Sequence, residues 1–264
     1  MSRIDTTFAK LKLKQETALI PFLTAGDPDI LTTAKLIRTL AANGADLIEL
    51  GVPFSDPMAD GPTIQAASER ALAAGTTVEK VLQLVADVRT DCQVPLVLMG
   101  YYNPIFRYGA ERFAKDAAAA GVDGLLLVDL PPEEAGEISS VMKDAGVAMI
   151  TLLAPTSPQK RLQQLAANAE GYLYYVSMTG VTGTQKITPT DIRVAVENIQ
   201  GMTEVPVGVG FGITTAEDAR AVGEFADGVV VGSALVKIIA ENACSDKLLS
   251  RVGNFVAELK QALL

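Results

Sequence analysis

The sequence predicts a single (β/α)8 barrel domain over residues 1–264, a member of the α/β class. Eight short apolar runs alternate with amphipathic segments along the chain. The apolar runs are nearly continuous, as in parallel strands that helices cover. The length suits a barrel of about 250 residues, and no linker or low-complexity stretch interrupts the pattern. A doubly wound open sheet is the alternative, but it usually has fewer strands and would leave a linker.

The predicted elements follow one another in strict alternation. The strands are Ala18–Thr24, Ala45–Gly51, Val94–Met99, Gly124–Asp129, Ala148–Leu153, Gly171–Ser177, Val205–Gly210 and Gly228–Gly232. The helices between and after them are Thr33–Asn43, Val78–Thr90, Ala110–Ala120, Glu133–Ala145, Gln159–Ala169, Thr190–Gln200, Thr215–Phe225 and Ser245–Leu263. An amphipathic lead, Ile4–Leu13, predicts an extra N-terminal helix that closes one end of the barrel.

Composition excludes several classes of function. The chain carries 22 basic and 31 acidic side chains, a net charge of −9, which argues against nucleic acid or anionic membrane as partner. It contains no histidine, so Ser-His-Asp hydrolases, Cys-His enzymes and histidine-ligated metal sites are excluded. Two cysteines without metal or redox spacing indicate a reducing compartment. Lysines interrupt the N-terminal apolar pattern, so we expect no signal peptide and a cytoplasmic protein.

Glu49 is the strongest candidate for acid–base chemistry. In the strand Ala45–Gly51 the side chains alternate, so Glu49 lies on the face opposite Ile48 and Leu50. Because that apolar pair suits the helix-covered outside, we expect Glu49 inside the barrel, where burial raises a carboxyl pKa toward neutrality. The alternative is a structural acid paired with a buried base, but none of the predicted strands contains lysine or arginine.

Two predicted loops at the catalytic end are long, Gly51–Gln65 and Met178–Asp191. The first carries Asp56 and Asp60 among prolines that restrict its backbone, so it suits a second carboxylate held over the pocket of Glu49. Asp before Pro or Gly is also a common turn former, and each acid alone is equally consistent with that role. The Gly-Thr content of the second loop suits a lid that orders on binding.

Glycines after the seventh and eighth strands indicate a phosphate site, because barrels often bind phosphate there. A short helix is predicted to start at Ser233, and its dipole and free backbone N–H groups favour an anion. Gly183, from the long sixth loop, would close the site. The residues expected to offer N–H groups are Gly212, Gly232 and Ser233. The alternative is that these glycines only form tight turns.

Aromatic residues, together with the lack of strand lysines and of histidine, restrict the class of substrate. Several aromatic side chains fall near predicted strand ends and suit a flat apolar group: Phe22, Tyr101, Tyr174 and Phe211. The predicted strands hold no lysine for a Schiff base, and the chain has no histidine for a metal-dependent aldolase. Carbon–carbon chemistry would therefore need a substrate that carries its own electron sink.

These motifs together resemble the tryptophan synthase alpha subunit family, in the expected order and over essentially the whole chain. The matching segments are Pro21–Pro28, Glu49–Gln65, Gly180–Gly183, Gly210–Ile213 and Gly232–Ala234. The resemblance implies a (β/α)8 barrel that cleaves indole-3-glycerol phosphate to indole and glyceraldehyde 3-phosphate in tryptophan biosynthesis. The indole ring would be the electron sink, and neither metal nor cofactor would be needed.

The resemblance also implies a role for each matching residue. Glu49 would be the general acid and base, and Asp60 would stabilise positive charge at the indole N–H. The remaining substrate-binding positions would be Phe22 and Phe211 beside the indole, Tyr174 near the acid, Thr182 as a latch of the sixth loop onto Asp60, and Gly183, Gly212, Gly232 and Ser233 at the phosphate.

The family further implies a partner, a pyridoxal-phosphate-dependent beta subunit in an αββα complex. Asp56, Pro57, Asn103 and Gly180 fall in segments that would face it. Three alternatives remain open: a free-standing indole-3-glycerol phosphate lyase, another phosphosugar barrel, and a non-catalytic phosphate-binding subunit.

Overall fold

The structure, a computed structural model, describes residues 1–131, 133–176, 189–210 and 212–264. Within these ranges, parallel strands form one nearly closed barrel. The strands are β1 (Ala18–Thr24), β2 (Ile48–Gly51), β3 (Leu96–Gly100), β4 (Gly124–Leu127), β5 (Ala148–Met149), β6 (Thr151–Leu153), β7 (Leu173–Val176), β8 (Val207–Gly210) and β9 (Gly228–Val231). They are ordered β5-β4-β3-β2-β1-β9-β8-β7-β6.

The barrel closes at Ile150, which separates β5 from β6. β5 pairs with β4, and β6 pairs with β7, both in parallel. The Ile150 N–H donates to the Leu125 carbonyl at 2.9 Å, so the two short pieces continue each other as the fifth strand. The predicted (β/α)8 barrel is therefore confirmed, with an interruption in the strand that was predicted as continuous.

Helices surround the strands and also close the amino end of the barrel. They are α1 (Arg3–Lys14), α2 (Ile30–Ala42), α3 (Pro62–Ala73), α4 (Val78–Val88), α5 (Tyr102–Tyr108), α6 (Ala110–Ala120), α7 (Gly136–Asp144), α8 (Gln159–Ala167), α9 (Pro189–Gln200), α10 (Ala216–Gly223), α11 (Ser233–Asn242) and α12 (Leu248–Ala262). The predicted N-terminal helix is confirmed. Its buried residues Ile4, Phe8 and Leu11 pack with Ile20 and Tyr172.

Two helices, α3 and α5, were not predicted. The predicted loop Gly51–Gln65 ends at Gly61, and Pro62 begins α3. Proline is compatible with the first turn of a helix, where its missing N–H costs no hydrogen bond. The proline-rich sequence therefore marks the start of this helix as well as a stiff loop.

Strand side chains alternate between the barrel interior and the helical layer. On β1, Ile20 and Phe22 belong to interior clusters, whereas Leu19 and Leu23 belong to the large cluster under the helices. On β2, Ile48 and Leu50 join that same outer cluster. This alternation places the remaining side chain of β2, Glu49, inside the barrel.

Neither a membrane span nor a metal site is found in the described part of the chain. No helix there is long and apolar enough to cross a bilayer. No three acidic or cysteine side chains there are arranged to hold a metal ion.

Candidate active site

Glu49 is fully buried within the ring of strands. Its side chain has 0% solvent exposure, and its Oε1 accepts a hydrogen bond of 2.6 Å from the Tyr172 hydroxyl. Among the described residues, Oε2 has no hydrogen-bond partner. Burial raises the pKa of Glu49 to about 8, and the bond from Tyr172 only partly opposes this. Glu49 therefore holds a proton at neutral pH and can donate it.

Tyr172 and Tyr174 project into the barrel from β7 and its preceding residue. Burial and the nearby Glu49 carboxyl raise the pKa of both phenols well above the usual value, so both stay protonated. The Tyr174 hydroxyl lies against Gly210, where a Cβ atom would overlap it. Tyr174 is the predicted residue near the acid, but the residue that hydrogen-bonds Glu49 is Tyr172.

Asp60 lies on the loop between β2 and α3, directly before the Gly61 N-cap of α3. Burial raises its pKa to about 6, and a hydrogen bond with the Tyr101 side chain partly opposes this. At neutral pH Asp60 is therefore mostly ionised. The second predicted acid, Asp56, is exposed, and its carboxylate accepts a hydrogen bond of 2.5 Å from Ser55.

Phe22 connects the acid to the glycine-rich end of the site. Its Cα pairs in register with that of Glu49. The ring covers Gly51, where an added Cβ would lie 2.6 Å from the Phe22 Cζ atom. The Phe22 Cβ atom also lies beside Gly232, 3.7 Å from where a Cβ would be. A side chain larger than hydrogen at position 51 would displace this ring.

The glycine-rich end is built from the carboxyl ends of β8 and β9. Gly232 is the N-cap of α11, which begins at Ser233 as predicted, and both residues are at least partly exposed. Gly212 has a φ of +36°, a backbone conformation that favours glycine. The N–H groups of the first turn of α11 have no partner within the helix, which suits an anion.

Three predicted site residues, Thr182, Gly183 and Phe211, lie outside the described residues, as do Gly180 and most of the predicted second loop. Conversely, Tyr172 was not predicted as a site residue, and Tyr101 was considered only as a pocket aromatic. Tyr172 is two positions before Tyr174, and residues i and i+2 of a strand share a face. The alternation of side chains could therefore have identified Tyr172 as a residue on the same face as Tyr174.

Comparison with known proteins identifies one family over almost the whole chain. The family model described as tryptophan synthase alpha chain matches residues 8–263. The chain belongs to the tryptophan synthase alpha chain family. Its relatives named tryptophan synthase alpha chain include one from Geobacter sulfurreducens, 56% identical over 263 residues and covering 100% of this chain and 99% of the relative. Another, from Burkholderia multivorans, is 53% identical and covers 100% and 97%.

Solved structures of tryptophan synthase share the architecture. The alpha subunit from Legionella pneumophila is 43% identical, with a TM-score of 0.92 and coverage of 100% of this chain and 98% of that one. A chain of Mycobacterium tuberculosis tryptophan synthase, in an aminoacrylate-bound form, is 34% identical with a TM-score of 0.89 and full coverage of both chains. The alpha chain family therefore accounts for both sequence and fold.

Proposed function

We propose that this chain cleaves indole-3-glycerol phosphate to indole and glyceraldehyde 3-phosphate, as the alpha subunit of a tryptophan synthase. The observation that carries the proposal is Glu49, a carboxyl group sealed among strands with a pKa near 8. A protonated acid in a dry site can protonate a carbon atom, the step this retro-aldol cleavage requires. Membership of the alpha chain family supports the same reaction.

Glu49 serves as both acid and base in the proposed reaction. Its proton is transferred to C3 of the indole ring, which leaves a positive charge on the ring. The glycerol hydroxyl next to that carbon then returns a proton to the Glu49 carboxylate. The bond from C3 to the side chain breaks, its electron pair restores the neutral indole, and the hydroxyl carbon becomes the aldehyde. Glu49 has then given one proton and received one, so it ends the reaction protonated.

Asp60 stabilises the charge that develops in the first step. With a pKa of about 6 it is mostly an anion at neutral pH, suited to accept a hydrogen bond from the indole N–H. Phe22, Tyr174 and Phe211 line the indole, and Thr182 latches the sixth loop onto Asp60. Gly183, Gly212, Gly232 and Ser233 bind the phosphate through neutral N–H and hydroxyl donors. The reaction uses neither metal nor cofactor.

The partner in this proposal is a tryptophan synthase beta subunit. Two beta subunits and two such chains would assemble as an αββα tetramer in the cytoplasm. The partner surface includes Asp56, Pro57, Asn103 and Gly180. Asp56 and Asn103 are exposed and lie in segments that follow β2 and β3 at the catalytic end. Exposure at the mouth of the barrel supports a contact there.

The test is release of indole from indole-3-glycerol phosphate by the pure chain, with and without added beta subunit. We expect weak turnover alone and strong stimulation by the partner. Glu49→Gln and Asp60→Asn should each lower turnover on the order of 10²-fold or more. Glu111→Gln, an exposed acid of α6, is the matched control and should leave the rate unchanged.

Two of the alternatives predict outcomes of this assay that differ from those of the proposal. A free-standing lyase would turn over fully without the beta subunit. A non-catalytic phosphate-binding subunit would release no indole under either condition, and Glu49→Gln would leave its role intact. If Glu49→Gln turned over at a near-normal rate, the proposed acid–base role of Glu49 would be wrong, even if the wild-type chain releases indole.

A further inference from the structure

Tyr101 lies at the end of β3, beside the loop between β2 and α3 that carries Asp60. It directly follows β3 and is 4% exposed, and its ring packs on Phe54 of the loop with centroids 5.3 Å apart. Its hydroxyl accepts a hydrogen bond of 2.9 Å from the backbone N–H of Ala59. Tyr101 therefore contacts the loop at two points, one of them immediately before Asp60.

The backbone around Asp60 is also held from the side of α3. The Gln65 amide donates to the Asp60 carbonyl at 2.9 Å, and the Asp60 N–H donates to the Pro57 carbonyl at 3.0 Å. Neither bond constrains the direction of the Asp60 carboxylate. Ala59 is itself exposed, so burial does not protect its N–H.

The Tyr101 hydroxyl has the right chemistry to fix that carboxylate. A phenol has one proton and can accept a hydrogen bond at the same time. Because the oxygen already accepts from Ala59, its proton is available for an acceptor, and Asp60 is the acceptor beside it. Burial raises the pKa of Tyr101 to about 12, so the hydroxyl retains this proton across the range in which the enzyme would work.

We propose that Tyr101 is a positioning residue for the lyase reaction: its hydroxyl joins the backbone before Asp60 to the Asp60 carboxylate and thereby holds that carboxylate toward the indole N–H. This role rests on the proposed function of Asp60. Tyr101 transfers no proton in the proposed reaction. It acts on the substrate through Asp60.

The test is Tyr101→Phe in the full chain, assayed with the beta subunit. The ring and its packing on Phe54 remain, whereas the hydroxyl is lost. We expect kcat to fall about tenfold, the size of a lost charge-assisted hydrogen bond, with KM changed less than about twofold. Two readouts need no substrate. The pKa of Asp60, followed by 13C NMR of labelled aspartate, should rise, and hydrogen exchange of the Ala59 amide should speed up about fivefold or more.

Tyr108→Phe is the matched control. The Tyr108 hydroxyl also bonds a carboxylate, Asp116, at 2.7 Å, but on the helical layer. This variant should leave kcat, the Asp60 pKa and Ala59 exchange unchanged. Thermal unfolding of both variants checks that each is folded.

The outcomes separate this inference from the proposed function. An unmoved Asp60 pKa or unmoved Ala59 exchange in Tyr101→Phe would overturn the hydrogen-bonded role. A moved pKa with wild-type kcat would overturn the catalytic consequence. If the wild-type chain released no indole, the proposed function would fail, while the NMR and exchange readouts would still decide whether Tyr101 holds Asp60.

Discussion

Burial gives two carboxyl groups of the same barrel different protonation states. Glu49 is completely enclosed and has one hydrogen-bond donor, so its pKa rises to about 8. Asp60 lies on a loop at the mouth of the barrel, is less completely enclosed and has a pKa of about 6. Near pH 7 the first is mostly protonated and the second mostly ionised. One acts as a proton donor and the other as a counter-charge because their environments differ.

The raised pKa of Glu49 makes the stability of the fold depend on pH. In the unfolded chain Glu49 titrates near 4.5, and in the folded chain near 8. Its stabilising contribution is therefore fully present below about pH 4.5 and is lost as pH rises through 8. Glu49→Gln removes this titration. We expect the variant to lie close to wild type near pH 5 and to exceed it by ~4 kcal/mol in unfolding free energy near pH 9.

Urea unfolding of both proteins at the two pH values measures this difference. Other titrating groups, Asp60 included, are shared by the two proteins and cancel. Glu111→Gln, at an exposed position, should show the same pH dependence as wild type. A stability difference between Glu49→Gln and wild type that stayed constant with pH would contradict the pKa assignment.

At the scale of one element, the start of α11 tests the phosphate site. The first turn of this helix contains no acidic residue, and Ser233 is exposed. An acid there would favour the helix through its dipole, by about 0.3–1 kcal/mol. It would also repel a bound phosphate. We therefore expect Ser233→Asp to raise KM tenfold or more, with kcat little changed and the melting temperature equal or higher.

Ser233→Asn separates the effect of charge from the effect of size, because the Asn side chain is similar in size to Asp but neutral. We expect its KM to rise less than that of Ser233→Asp in the same steady-state assay. Equal KM values for Ser233→Asp and wild type would place the phosphate elsewhere. A KM raised equally in both variants would indicate a steric effect in place of electrostatic repulsion.

A buried ion pair links the amino ends of α1, β3 and β4. Asp123, before β4, accepts from Arg89 at 2.6 Å, from Arg3 of α1 at 3.0 Å and from the Leu96 N–H of β3 at 2.8 Å. The Arg89 side chain is 8% exposed. Removing the negative charge would leave this guanidinium buried without its counter-charge, held only by backbone carbonyls. We expect Asp123→Asn to cost about 3–5 kcal/mol of unfolding free energy, measured by urea unfolding.

Asp91→Asn provides the control for Asp123→Asn. Asp91 pairs with Arg38 at 2.9 Å, but its side chain is 57% exposed. Exposed pairs typically contribute about 0–1 kcal/mol, so this variant should lose no more than that. Equal losses for the two variants would show that burial of the pair does not determine its contribution.

The elements also show how far periodicity predicts a site. Alternation along β2 was sufficient to place Glu49 inside the barrel, because it puts Glu49 on the face opposite Ile48 and Leu50, which suit the helix-covered side. The Tyr172–Glu49 bond joins residues 123 positions apart. Such a contact depends on barrel register, which local pattern does not contain. α3 was missed because Pro62 was interpreted as part of a loop.

At the scale of the whole molecule, the two ends of the barrel differ. α1 covers the amino end with Ile4, Phe8 and Leu11. The carboxyl end carries the candidate site and two exposed apolar side chains on the connections after β2 and β3, Met58 (82% exposed) and Phe106 (66%). Exposed apolar groups beside a site are common where a partner protein binds. A beta subunit docked at the carboxyl end, as proposed, would cover Met58 and Phe106.

Charge placed on that surface should therefore weaken assembly. Phe106→Asp and Met58→Asp are each expected to raise the Kd for the beta subunit tenfold or more, because a carboxylate would be desolvated at the contact. Titration of the stimulated indole release measures this Kd. Leu13→Asp is the control, since Leu13 is 87% exposed on α1 at the opposite end. A Kd raised only by Leu13→Asp would move the partner to the amino end and contradict the proposed surface.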